Sequence, residues 1–331
     1  MLVTGASGFV GSLLIPRLQS EGHVVRALGR SPERIYDALA RSRSRGGIQE
    51  LEVIRGDALT GEGLDQALEG VEVAYYLIHS MESPPSGGDA FSGARFAERD
   101  ACAAESFTAA AVRAGARRIV YLGGFAPDAA APNCSAASLA PESLSPHLAS
   151  RRTVEAILLG AIPDSVALRA SIVIGARSRS FRLLVHLVER LPVLALPAWR
   201  RFRTQPIDAR DAIEMLVAAA TAPLGGSSLD IAGPDALTYE EMLNRIAELM
   251  LVGRPALRFG VNMTGLTAPV VAAIAGEDPE LVVALMEGLQ SDLLPADDRA
   301  AHQLGVTLHS FDAAVEHALG EWEEFESLAA R

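Results

Sequence analysis

Near its start the chain reads Val3-Thr4-Gly5-Ala6-Ser7-Gly8-Phe9-Val10-Gly11: a short apolar run, three glycines three residues apart, then a helical pattern. Few folds accommodate such a stretch. A strand that turns at once into a helix needs a residue free to take positive φ, and Gly5 supplies it. Gly8 leaves the backbone open to a close-lying group, and Gly11 lets the helix approach the strand. The helix start then offers unpaired N–H groups and a partial positive charge, which suits the phosphates of a dinucleotide. Glycine is common here, 29 of 331 residues, so the spacing takes its weight from its surroundings.

Those surroundings alternate apolar runs with helical periodicity, the pattern of a doubly wound parallel sheet. Strands are expected over residues 2–4, 23–28, 51–55, 71–78, 118–122 and 165–168. The first helix carries Val10, Leu13, Leu14 and Leu18 on one face and ends near Gly22. The second starts at Ser31-Pro32-Glu33, with Ser31 as N-cap and Pro32 in the first position. Longer helices are expected over 94–114 and 147–159. Residues 71–78 are apolar apart from Glu72, as in a strand covered on both faces. Residues 80–93 and 126–146, rich in Ser, Pro, Ala and Gly, are expected as surface loops, the second of them mobile. The expected fold class is therefore α/β, a Rossmann-type sheet over residues 1–170 completed by about 205–250, through a helix over 209–220 and a strand over 228–231. Residues 171–204 and 251–331 are expected to form a smaller substrate lobe over the carboxyl ends of the strands, where ligands of open α/β sheets bind.

Composition excludes several classes. Acidic residues number 41 against 29 basic, a net charge of −12, so nucleic acid is not an expected partner. The short Arg41–Arg45 alternation with serine reads as a solvated helix end. Two cysteines, Cys102 and Cys134, form neither a disulfide framework nor a metal-ligand pattern, and the expected compartment is the reducing cytoplasm. Met1 stands almost directly on the first strand, and no leader peptide is expected. The most apolar later stretch, 261–275, is too short to span a bilayer and is broken by Gly265 and Pro269. It is expected inside the lobe.

The end of the second strand decides between NAD and NADP: a carboxylate there binds the ribose hydroxyls, an arginine the 2′-phosphate. Here it reads Gly29-Arg30-Ser31. NADP(H) is expected, with Arg30 as phosphate ligand and Ser31 as second donor. Gly56-Asp57 follows the third strand; Asp57 either accepts from the adenine amine or serves only its turn. Ala58, and Leu77 at the end of the fourth strand, complete the expected nucleotide contacts with Thr4, Gly5, Ser7, Gly8, Phe9, Val10 and Gly11.

Thr4-Gly5-x-x-Gly8-x-x-Gly11, Gly56-Asp57, Leu168-Arg169, Gln205-Pro206-Ile207 with Asp211, and Gly233-Pro234 with Leu237-Thr238 together resemble the extended and atypical short-chain dehydrogenases/reductases, and within them the NmrA-like NAD(P)H-binding group. The resemblance runs from Leu2 to about Gly233. It implies a nicotinamide cofactor, a small-molecule substrate held by the C-terminal third, and association as a homodimer through flanking helices such as 94–114. It also exposes a departure. Catalytic members carry a serine or threonine past the fifth strand and a tyrosine and lysine four residues apart at the start of the next helix. This chain has Gly123-Gly124, then His147 and Arg151.

His147 and Arg151 share a helix face. A histidine titrates near neutrality and can donate to a developing alkoxide; an arginine can bind the nicotinamide ribose and lower the histidine's pKa. His147 is thus either the general acid or a helix-start residue without a chemical part. His79 and Ser80 are a second candidate pair, at the carboxyl end of the fourth strand. Tyr75 and Tyr76 read as core. Arg169 and Gln205 are expected to organise the cleft floor and tie the lobes. His186, His302, His309 and His317 have no ligand partner at metal spacing, so no metal is expected. Three functions stay open: an NADP(H)-dependent reductase of a carbonyl or activated double bond in a small apolar molecule, a non-catalytic nicotinamide sensor, and an isomerase or lyase that retains its nucleotide.

Overall fold

Parallel pairing runs through the whole central sheet. The structure, a computed structural model, describes residues 1–42, 50–78, 93–125, 146–260, 289, 291–326 and 328, with 93–96, 146 and 147 in backbone only. The loops expected over 80–93 and 126–146 fall almost entirely outside these residues, as do the apolar stretch 261–275 and Cys134. Six strands come first: β1 (Leu2–Thr4), β2 (Arg26–Gly29), β3 (Glu52–Arg55), β4 (Val73–Tyr76), β5 (Arg118–Gly124) and β6 (Val166–Ala170). They lie side by side in the order β6-β5-β4-β1-β2-β3. The chain reverses direction across the sheet between β1 and β4, which opens a crevice at their carboxyl ends.

The expected and observed strands differ at their ends. Residues 23–25 do not join β2, because a strand needs a partner: pairing begins where the Arg26 N–H meets the Met1 carbonyl at 2.9 Å, while the His23 N–H closes the preceding helix on Leu18. Strands β5 and β6 run two residues beyond expectation, since Gly123 and Gly124 pair with Arg169 and Ala170.

Helices cover both faces of the sheet. On one lie α1 (Phe9–Ser20) and α2 (Pro32–Arg41); Leu14, Ile15 and Leu18 of α1 are fully buried, worth about 1.5–3 kcal/mol each. On the other face lie α3 (Leu64–Leu68), α4 (Gly93–Arg113) and α5 (Pro146–Ala161). The five-residue α3 has too little periodicity to be legible in the sequence. Along β4 and the residue after it, Val73, Tyr75 and Leu77 enter one core and Ala74 and Tyr76 the other.

Past β6 the chain leaves the sheet through β7 (Val173–Ile174), α6 (Arg179–Arg190), β8 (Leu194–Leu196), a 3-10 turn (Ala198–Arg201), β9 (Arg203–Thr204) and β10 (Ile207–Asp208). It returns as α7 (Ala209–Ala219), on the α1 face, and β11 (Ser227–Ile231), the seventh strand, parallel to β6. Then β12 (Leu237–Thr238), α8 (Tyr239–Leu249) and β13 (Ala256–Arg258) leave it again. A capping box fixes the start of α8, Thr238 and Glu241 each bonding the other's backbone N–H. Lastly, α9 (Arg299–Leu304) rejoins the sheet core, and α10 (Phe311–Glu323) packs with α6 and α8 in a separate apolar core holding Phe181, Trp199, Tyr239 and Trp322.

Candidate nucleotide and active site

The turn between β1 and α1 requires its glycines. Gly5 has φ +64°, and a methyl group there would lie 2.5 Å from the Leu77 carbonyl oxygen. At Gly11 a methyl would lie 2.4 Å from the Gly5 oxygen and 2.9 Å from the Ala6 Cα. Gly8, the N-cap of α1, is extended and gives the helix no side-chain cap, so the first-turn N–H groups are left to whatever occupies the space before them. Thr4 is the exception among the expected contacts. It is fully buried, its Oγ1 donating to the Tyr75 carbonyl at 3.0 Å and accepting from the Leu77 N–H at 3.2 Å. Its hydroxyl ties β1 to β4 under the loop, and Thr4 does not line the cavity.

In front of the loop lies a cavity of about 1370 Å³. Gly5, Ser7, Gly8, Phe9, Val10 and Gly11 form one wall, and Arg30, Ser31, Asp57, Ala58, Leu77 and Arg151 also face it. Among the described residues, eight arginines line it against one carboxylate, Asp57, an inversion of the overall charge of −12. Arg30 is exposed at the end of β2. Ser31 caps α2 as expected, accepting from the Arg34 N–H at 3.4 Å, and donates to Glu33 at 2.7 Å. That bond holds the Glu33 carboxyl below the usual carboxylate range, and it occupies the Ser31 proton. Asp57 accepts from the Leu59 N–H at 2.8 Å, so its turn role is present whatever else it does.

The floor under the carboxyl ends of the strands is made by Gly123 and Gly124 of β5, with Leu148 and Arg151 of α5 above them. Arg151 is 2% exposed and forms an ion pair with Asp100 of α4, itself 4% exposed. Ser150 Oγ donates to the same Asp100 oxygen at 3.1 Å. The charge of Arg151 is thereby matched inside the fold. Beneath Gly123 sits Tyr121, whose ring would be 2.7 Å from a methyl at that glycine, whereas a methyl at Gly124 would meet only the Ala170 carbonyl oxygen, at 3.9 Å. Burial pushes the Tyr121 phenol up to about 12. Of His147 only the backbone, in the first turn of α5, is described, and His79 and Ser80 lie outside the described residues.

Asp100 is the group that sequence reading missed. One and two helical turns along α4 stand Ala104 and Phe107, both fully buried, so a carboxylate on that stripe needs a cation across from it. Arg34 and Arg177 were missed too, and both line the cavity.

Other candidates are structural. Tyr75 and Tyr76 are buried; Tyr75 donates to the Leu216 carbonyl at 3.2 Å, and Tyr76 meets the Phe107 ring edge-on at 5.1 Å. Burial pushes both phenols above their ordinary range. Arg169 pairs with Glu155 at 2.7 Å and Asp230 at 3.6 Å, joining β6 to α5 and β11, and does not line the cavity. Gln205 donates to the Gly233 carbonyl at 2.6 Å. Asp211 accepts from the His309 N–H at 2.7 Å and contacts its Nδ1 at 2.6 Å. Among the described residues no three His, Cys, Asp or Glu groups gather as a metal site, and no helix is long and apolar enough to cross a membrane.

A family model described as NAD(P)H-binding matches residues 5–164. A ceramide reductase of Caulobacter vibrioides is 27% identical over 249 residues, 75% of this chain and 69% of that protein. A 3β-hydroxysteroid dehydrogenase/Δ5→4-isomerase of Mycobacterium tuberculosis is 29% identical over 123 residues, 37% of this chain and 30% of that protein. Among solved structures, the UDP-glucuronic acid 4-epimerase of Bacillus cereus, in complex with UDP-glucuronic acid and NAD, aligns over 98% of this chain and 99% of its own. Its TM-score is 0.69 at 18% identity.

Proposed function

We propose that this chain is an NAD(P)H-binding member of the extended and atypical short-chain dehydrogenase/reductase superfamily and an NADPH-dependent reductase of a carbonyl or activated double bond, a reading supported by the NAD(P)H-binding family model over residues 5–164. The observation that carries the reading is one continuous cavity. It joins the uncapped start of α1, the Arg30 end of β2 and the Gly123-Gly124 floor beside α5, so that one extended ligand can touch all three. Gly5 and Gly11 fit a dinucleotide because a methyl group at either would meet backbone at 2.5 Å or less. When bound, the nicotinamide would supply a hydride.

In this reading the helix start and Ser7 bind the pyrophosphate, and Arg30 takes the 2′-phosphate. Leu77, Gly123 and Gly124 hold the nicotinamide end. Arg151, locked by Asp100, orients the neighbouring ribose, and His147 delivers a proton to the substrate oxygen. The far wall, with Leu183, Leu184, Leu187, Trp199 and Tyr239, favours an apolar substrate body. Ceramide is named for the Caulobacter relative and a steroid for the mycobacterial one; substrates of that character are the first to assay.

Two measurements test this. In a fluorescence titration, wild-type protein binds NADPH at least about tenfold tighter than NADH, and Arg30→Ala removes most of the difference, one charge-assisted phosphate contact being worth roughly 1.5–3 kcal/mol. Equal affinity for both nucleotides would refute the cofactor assignment. In a turnover assay with long-chain ketones, His147→Ala lowers kcat by about 10²- to 10⁴-fold, the usual share of a positioned acid. Undiminished turnover removes His147 from the chemistry.

A second reading, a nicotinamide sensor without turnover, draws on the missing hydroxyl at Gly123-Gly124 and the neutralised Arg151. Tight NADPH binding with no consumption across the ketone series would favour it.

A further inference from the structure

Arg177 lies in the short connection between β7 and α6, outside the sheet, yet its side chain reaches back onto the dinucleotide half. Nη1 donates to the Ala38 carbonyl of α2 at 3.0 Å, and Nη2 to Ser12 Oγ of α1 at 2.6 Å. Ser12 gives its own proton to the Phe9 carbonyl at 2.9 Å, so toward Arg177 it can only accept. The guanidinium is half-buried and lines the cavity. Among the described residues no carboxylate pairs with it. Arg41 is the cation nearest in effect, and Glu321 on α10 offsets it only in part.

A buried cation held by neutral acceptors recovers only part of its lost hydration. Burial, with Arg41 adding to it, pushes the Arg177 pKa below its ordinary value. A guanidinium has five N–H donors, and two are spent on Ala38 and Ser12. On the same face of α2, Arg34 stands one turn before Ala38 and Arg41 about one turn after, and all three line the cavity. The groove between α1 and α2 thus gathers cations from both halves of the molecule at the helix that begins beside the expected 2′-phosphate position. The bare start of α1 is a separate place for the pyrophosphate.

We propose that Arg177 is a second, lobe-borne arm of the 2′-phosphate site, joining Arg30 and Arg34 across the cleft so that the phosphate of NADPH draws the lobe onto α1 and α2. The proposal rests on the NADPH reading above and adds a specificity residue, from outside the dinucleotide half, that the end of β2 does not supply.

The test is binding alone, by calorimetry, of NADPH, NADH, 2′-AMP and 5′-AMP to wild-type protein, Arg177→Ala and Arg177→Gln. Glutamine keeps an amide donor for Ser12 or Ala38 without the charge, so it preserves the fold if alanine does not; thermal unfolding monitors both. Expected is a loss of about tenfold or more for NADPH and 2′-AMP, with NADH and 5′-AMP changed less than about twofold. An equal loss for NADPH and NADH would place Arg177 on the pyrophosphate or on lobe closure and overturn the proposal. An unchanged preference for NADPH in folded Arg177→Gln would make it a structural strap and overturn it too, leaving the NADPH reading intact. If wild-type protein itself does not distinguish 2′-AMP from 5′-AMP, both fall.

Discussion

Gly11→Ala should cost this protein its nucleotide. The added methyl would lie 2.4 Å from the Gly5 oxygen, a contact that forces α1 away from the loop and turns its first N–H groups off the proposed phosphate position. Losing one or two charge-assisted hydrogen bonds, at roughly 1.5–3 kcal/mol each, weakens nucleotide binding by about ten- to ten-thousand-fold. The overpacking itself lowers stability by about 1–3 kcal/mol. Calorimetric titration with NADPH, alongside urea unfolding, separates the two effects. Wild-type affinity in a folded Gly11→Ala protein would mean that the cavity binds something other than a dinucleotide at this loop.

The largest stability effect is expected at the floor of the site. Asp100→Leu leaves the Arg151 charge without its carboxylate at a position 2% exposed, and breaking a buried pair from one side costs about 3–5 kcal/mol. Arg151→Met, which strands the Asp100 carboxylate beside Ser150, falls in the same range. Removing both charges with Asp100→Leu and Arg151→Met is expected to recover most of the loss, because the penalty belongs to the uncompensated charge and not to the missing pair. Urea midpoints of the three variants give the answer directly. Additive single and double costs would show that the two side chains do not depend on each other.

The parts of this fold legible in the sequence are those governed by local rules. The α1 stripe of Leu14 and Leu18, the Ser31-Pro32 helix start and the apolar run containing Val73–Tyr76 follow from side-chain period and capping chemistry, and the structure contains each. The glycine loop was legible because backbone geometry itself demands those residues. What was not legible depends on partners distant in sequence. The expected strand over 23–28 ignored that β2 can pair only where β1 exists. Thr4 reads in sequence as a nucleotide contact, and only the fold shows its hydroxyl bonded to Tyr75 and Leu77. Arg151 reads in sequence as a ribose contact beside His147, and only the packing of α4 against α5 brings Asp100 to it. Arg177 carries no local signal at all; its position follows from the lobe lying over Ser12 and Ala38.

The chain's repeated crossings between the α1-side core of the sheet and the separate core around Trp322 govern how it can be made and divided. The sheet core draws on residues from Val3 to Leu304 and the second core on residues from Ile174 to Leu328, so no single cut separates them. During synthesis β6 presents a bare edge until Ser227–Ile231 emerges to pair with it, and an unpaired edge invites association with other chains. A fragment ending before β11 should therefore aggregate, even though it carries the entire glycine loop and six of the seven sheet strands.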